Sequence, residues 1–158
     1  MPDFDLAGFA AELGRMSIRA ATAVGIALER AAVIVEGEAK REIGHYQQSA
    51  GQFPAWPKLK PTTLAEKTRK GFSPPDNPLL RKGDMRDGIG HHVRAGPLGG
   101  EAEIGSNDPV MIYQNEGTDD GHVPARDVFG HAGTRKEEEV VGLLGEAVAV
   151  AIGATRIF

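Results

Sequence analysis

Residues 17–43 carry the pattern that most restricts the fold. Ile18, Ala21, Gly25, Leu28, Ala32, Val35 and Ala39 recur at three- and four-residue spacing, which puts them on one face of a helix. Such a helix is about 40 Å long, a large element for a chain of 158 residues. The face is built mostly of small side chains, so a neighbouring backbone can approach closely. Arg19, Glu29, Arg30, Glu36 and Lys40 fall off it. It is either an ordinary core helix or one with an end that projects toward a partner. A short helix over residues 6–13, capped by Asp5 and apolar along Leu6, Phe9, Ala10 and Leu13, is expected before it, with Gly14 interrupting.

Residues 44–60 hold two prolines, two glycines and no helical period, so they read as an extended loop anchored by Phe53 and Trp56. Thr63-Leu64-Ala65-Glu66 has the form of a capping box and opens a short helix ending near Gly71. Residues 72–78 form a second rigid link. From Ile89 to Ala95 the residues Ile89, His91, Val93 and Ala95 share one strand face. A turn over 96–100 leads to a half-buried partner strand over 101–105, pairing back as a hairpin. Asp108 caps a short helix with Pro109 first and Gly117 just past its end. Thr134-Arg135-Lys136-Glu137 is a second capping box, with Glu137, Glu138 and Glu139 in the first turn and Val140, Leu144, Ala147 and Ala151 facing inward to about Ile152. The fold class is α+β: a long N-terminal helix and a C-terminal helix packed on a small antiparallel sheet. The chain is one domain, with N-terminal helices over 1–43, a long loop over 44–60 and an α+β core over 61–158.

Composition enters where it excludes. The chain has no cysteine, which removes disulfides and thiolate metal sites. Its start has no basic segment of the kind that opens a signal peptide, and its apolar stretches are broken short of a membrane span. The overall charge is −4, yet residues 58–94 carry nine Lys/Arg against four Asp/Glu, a local +5. That segment is either a solvated mixed surface or one that docks on an acidic surface, another copy's included. An acidic chain is not the usual form of a nucleic-acid reader.

No catalytic frame emerges. His91 and His92 are neighbours on a strand and point to opposite faces, so they cannot share a metal; His91 is expected to pack and His92 to face solvent. The glycine-rich turn over 96–100 lacks the lysine and helix of a phosphate loop. Ser17, Ser49, Ser73 and Ser106 have no histidine at a suggestive spacing. Asp119, Asp120 and His122 offer a few ligands for a weak cation site, short of the six or more oxygens calcium takes. The densest run of specifically placed residues is 113–129: Tyr113, then Asn115-Glu116-Gly117-Thr118, the acidic Asp119-Asp120-Gly121 loop and Val123-Pro124-Ala125-Arg126. It reads as a loop that fixes backbone direction and presents contacts. Pro124-Ala125-Arg126 is either a rigid exit from that loop or a device in which Arg126 pairs with a carboxylate of this chain or a neighbour.

The order of motifs adds a resemblance. Trp56, Pro57 and Leu59 are followed by Thr63 and Lys67, then by Leu79-Leu80-Arg81-Lys82-Gly83-Asp84-Met85-Arg86-Asp87-Gly88-Ile89. Ile104-Gly105-Ser106-Asn107 comes next, then Tyr113 before Glu116-Gly117-Thr118, then Val123-Pro124-Ala125-Arg126. Over about residues 54–132 this resembles the phage virion morphogenesis proteins, the tail-completion or neck family of tailed phages. Met85 stands where that family often has Leu, Gly88 where it often has Ser, and Asp127-Val128-Phe129 replaces its usual close.

The resemblance implies a structural virion protein of the head–tail interface, made in the host cytoplasm. It would form a homo-oligomeric ring, a hexamer by preference, between the capsid connector and the tail tube or its terminator. DNA would pass through the lumen without sequence reading, and no cofactor, metal or catalysis is implied. The resemblance does not separate connector, tail-completion and tail-terminator roles, and a tail terminator or a minor tail or capsid protein is the alternative to a neck or tail-completion ring. A small metal-binding enzyme and a regulatory adaptor are the alternatives of other classes. The residues expected at subunit or partner contacts are Trp56, Arg81, Tyr113, Glu116, Asp119, Asp120 and Arg126.

Overall fold

The long helix is longer than its pattern suggests. A computed structural model describes residues 6–96, 99–151 and 153, and in it α1 runs unbroken over Leu6–Glu42, 37 residues. At a rise of about 1.5 Å per residue that is about 55 Å. Gly14 does not divide it: a glycine inside a helix costs only about 1 kcal/mol relative to alanine, and here its surroundings are open. The expected Asp5 cap lies outside the described residues. Two residues past the helix, Gly44 (φ 97°) turns the chain, and its N–H donates to the Pro78 carbonyl at 2.8 Å. Lys40 and Arg41 sit in the last turn, where the helix dipole favours cations.

Six further elements follow: α2 (Pro61–Arg69), α3 (Asp84–Asp87), β1 (Ile89–Gly96), β2 (Gly99–Ser106), α4 (Pro109–Glu116) and α5 (Phe129–Ala151). The two strands form an antiparallel two-stranded sheet, and the class is α+β. Among the described residues no helix is long and apolar enough to cross a membrane. The chain divides into two compact units.

One unit takes Met1–Ala32, His92–Glu103 and Glu138–Phe158. Its buried residues include Ala27, Ala31, Ala32 and Ala151. The small-residue face of α1 does admit a close neighbour: a Cβ added at Gly25 would lie 3.2 Å from the Ala95 Cβ. That face packs from Ala21 onward, whereas Ile18, expected on it, is exposed. Across the hairpin Arg94 pairs with Glu101 at 3.2 Å. On α5 the expected inward residues Val140, Leu144 and Ala147 are half-buried and Ala151 is buried. Ile152 and two residues of the expected hairpin turn, Pro97 and Leu98, lie outside the described residues.

The other unit takes Val33–His91 and Ile104–Glu137. Its core joins Ala39, Ile43, Trp56, Ile89, Met111, Val128 and Ala132. Residues 44–60 are irregular, as expected, apart from one bridge between Ala50 and Phe53. His91 is half-buried and its Nδ1 bonds the Glu36 carboxylate; His92, which belongs to the first unit, is exposed.

Two further starts differ from expectation, each for a local reason, and one helix is new. α2 begins at Pro61, and no side chain caps it; proline's fixed φ suits the first helical position, so Thr63 and Glu66 fall inside. Glu66 pairs instead with Lys70 at 2.6 Å and Arg81 at 3.3 Å. α5 begins at Phe129, with the Asp127 carboxylate accepting from the Gly130 N–H, so the Thr134–Glu137 box is internal. α3, a single turn inside the 79–89 run, has no counterpart in the sequence reading. By contrast α4 forms as expected: Asp108 accepts from the Val110 N–H at 2.9 Å, Pro109 is first, and Gly117 closes it at φ 81°.

Candidate functional site

The run over 113–129 is held in place by its own backbone and by the loop over 44–60. Gly117 must be glycine: besides its positive φ, a Cβ there would lie 2.9 Å from the Ala125 nitrogen. Its N–H donates to the Tyr113 carbonyl at 3.0 Å, ending α4. The acidic loop then closes on itself. Thr118 N–H donates to the Val123 carbonyl at 2.9 Å, and Val123 N–H donates to Thr118 Oγ1 at 3.0 Å. The Asp120 carboxylate accepts from the Thr118 hydroxyl at 2.6 Å and the His122 N–H at 2.9 Å. These bonds, the hydroxyl's first, hold its pKa below the usual aspartate value. Lys60 Nζ donates to the His122 carbonyl at 3.0 Å.

Asp120 is thus engaged in turn geometry. Among the described residues no group of three or more His, Asp or Glu is placed to hold a metal ion.

The expected contact residues separate into two sets. Arg126 is only 4% exposed. Its guanidinium donates to the Pro57 carbonyl at 3.0 and 3.3 Å and to the Lys58 carbonyl at 3.5 Å. Among the described residues its partners are these carbonyls and no carboxylate. Burial lowers its pKa. Trp56 is 5% exposed, and its Nε1 donates to the Asp127 carbonyl at 3.1 Å. Together Arg126 and Trp56 staple residues 56–58 to residues 126–127 inside the unit. Arg81, Tyr113, Glu116, Asp119 and Asp120 are exposed.

Beside this staple lies a cavity of about 570 Å³. Leu59, Phe72, Leu79, Leu80, Met85 and Val110 give it apolar walls. Lys67, Arg81, Lys82 and Arg126 bring four cations to it, against the carboxylates of Asp84 and Asp108. Lys67 is 3% exposed and its Nζ donates to the Asn77 carbonyl. Burial, followed by the charge of Arg81, lowers its pKa. Arg81 also lies over the Phe72 ring, 5.8 Å from its centroid. Lys82 makes no ion pair among the described residues. The wall therefore holds two buried cations whose bonds go to neutral carbonyls.

Sequence reasoning missed this pocket because five separate segments build it. The signal that was available is motif order: Thr63, Lys67, the 79–85 run and Arg126 all belong to the ordered set, and all line it.

A second polar group was also missed. Glu42 is 2% and His131 0% exposed, packed within the same unit. His131 Nδ1 bonds the Asp127 carbonyl at 2.6 Å, and its ring meets Phe53 and Trp56 at centroid distances of 5.7 and 6.0 Å. Neither Glu42 oxygen nor His131 Nε2 has a hydrogen-bond partner among the described residues. Arg135 Nε stands 3.8 Å from Glu42, yet burial dominates and pushes the Glu42 carboxyl up to about 8.

No family model, no curated protein and no solved structure matches the chain.

Proposed function

We propose that this chain is a structural subunit of the head–tail interface of a tailed phage, a neck or tail-completion protein of the virion that works as a homo-oligomeric ring. The observation that carries the reading is the ordered motif set over residues 56–126. Its members, far apart in sequence, supply one pocket and one exposed acidic helix end in the same unit. That is what assembly requires: paired surfaces of opposite charge, held rigid by interior bonds.

The reading places no chemistry on the chain. Its partners are further copies of itself, the capsid connector, and the tail tube or its terminator. DNA passes through the lumen without sequence reading, and the net charge of −4 suits a channel that must not grip phosphates. The test is direct. Purified protein, alone and mixed with tail tubes, is imaged by negative stain and weighed by native mass spectrometry. Closed rings of uniform subunit number support the proposal; monomer alone in both preparations defeats it.

A further inference from the structure

The proposed ring leaves open which surface of one subunit meets which surface of the next. Two features of the second unit answer each other in charge and apolar character. One is the pocket, with apolar walls and a cationic rim at Arg81 and Lys82. The other is the outer face of α4. Ile112 is 59% and Tyr113 58% exposed, large apolar surface left in water. Glu116 stands on the same helix and Asp119 three residues further along the chain, and neither side chain makes an ion pair among the described residues.

Position on the helix decides how these features can meet. Val110 and Gln114, one turn apart, face the pocket. Ile112 and Glu116 each lie two residues further on, a rotation of about 200° at about 100° per residue. The pocket and the Ile112–Glu116 row are therefore on opposite sides of one eight-residue helix. A chain cannot fold this row into its own pocket, but a second copy can present it.

Charge supports the same occupant. The pocket's four cations exceed its two carboxylates. Asp108 is already spent on capping α4, and Arg81 is only partly balanced by Glu66 at 3.3 Å. A segment that brings a carboxylate next to an aromatic ring fits both the excess charge and the apolar walls.

We infer that the pocket receives the Ile112–Glu116 row of α4, with Tyr113 on the flank beside it, from a second copy of this chain, so that subunits join head to tail. Such a contact uses two different surfaces of each copy. It propagates, and closes into a ring only if the rotation between copies allows it. The inference rests on the proposed ring reading and deepens it.

The experiment uses two full-length variants, each blocked on one side. Arg81→Glu with Lys82→Glu spoils the pocket rim and leaves the α4 face intact. Tyr113→Ala with Glu116→Lys spoils the α4 face and leaves the pocket intact. All four positions are on the surface or the rim, and unchanged melting curves verify folding. Native mass spectrometry and light scattering then read the assembly state. Wild type is expected to assemble, each variant alone to lose assembly, and their equimolar mixture to stop at a one-to-one dimer.

Wild type that stays monomeric at its highest soluble concentration overturns the inference, as does a mixture that fails to dimerise. A small anionic amphiphile retained by monomers in the native spectrum also overturns it, because the pocket would then be a ligand site. Rings that persist in both variants overturn the contact while leaving the ring reading standing. A one-to-one dimer from the mixture alongside open chains of wild type supports the contact and defeats the ring.

Discussion

Arg126 shows how a residue expected at a surface can serve the interior. Its fork reaches two carbonyls of the loop over 44–60, and at 4% exposure no solvent replaces those bonds. Arg126→Ala is expected to lower unfolding free energy by about 2–3 kcal/mol, and Arg126→Lys to recover little, since an ammonium lacks the planar fork. Urea denaturation measures both; a variant as stable as wild type would remove the staple. Glu42 makes a pH prediction. Its folded carboxyl is raised to about 8 from 4.5, so the folded state binds the proton more tightly than the unfolded chain does. Stability is then fully present below about pH 4.5 and declines as pH rises toward 8, by at most about 1.4 kcal/mol per pH unit. Glu42→Gln is expected to flatten melting temperature across that window and to raise it at neutral pH. Parallel curves for wild type and variant would show that Glu42 does not titrate there.

Individual elements show which local signals decide and which are overridden. The same change has opposite signs at two glycines. Gly14→Ala sits in an open stretch of α1 and is expected to stabilise the helix by about 0.5–1 kcal/mol. Gly130→Ala places a Cβ 2.3 Å from Phe53 Cζ at the start of α5 and is expected to destabilise by about 1–3 kcal/mol. Circular dichroism melts of the pair check this, and equal shifts would contradict the packing at Phe53. α4 was legible in full because Asp108, Pro109 and Gly117 act within one short stretch. The start of α5 was not, because Asp127 and Thr134 are both competent caps; the burial of Val128 and Ala132 in the core selects the earlier one. α2 likewise starts at Pro61 rather than at the box, and α3 is a single turn with no periodic pattern to reveal it. Gly14 misled because a helix interrupter in isolation is only a modest penalty inside a 37-residue helix.

For the molecule as a whole, the α+β class and the placing of small residues along α1 were readable from periodicity. The pocket was not, since Leu59, Lys67, Phe72, Lys82 and Val110 come together only through tertiary folding. What was readable was the order of motifs that line it. Arg81, Tyr113, Glu116, Asp119 and Asp120 are surface residues, whereas Trp56 and Arg126 position the segments behind that surface. The proposed ring at the head–tail interface is open to direct measurement. Native mass spectrometry with negative-stain imaging of the wild-type protein, with and without tail tubes, tests it most directly. Closed rings of one subunit number enclosing a lumen are expected; monomers alone in both preparations would overturn the proposal.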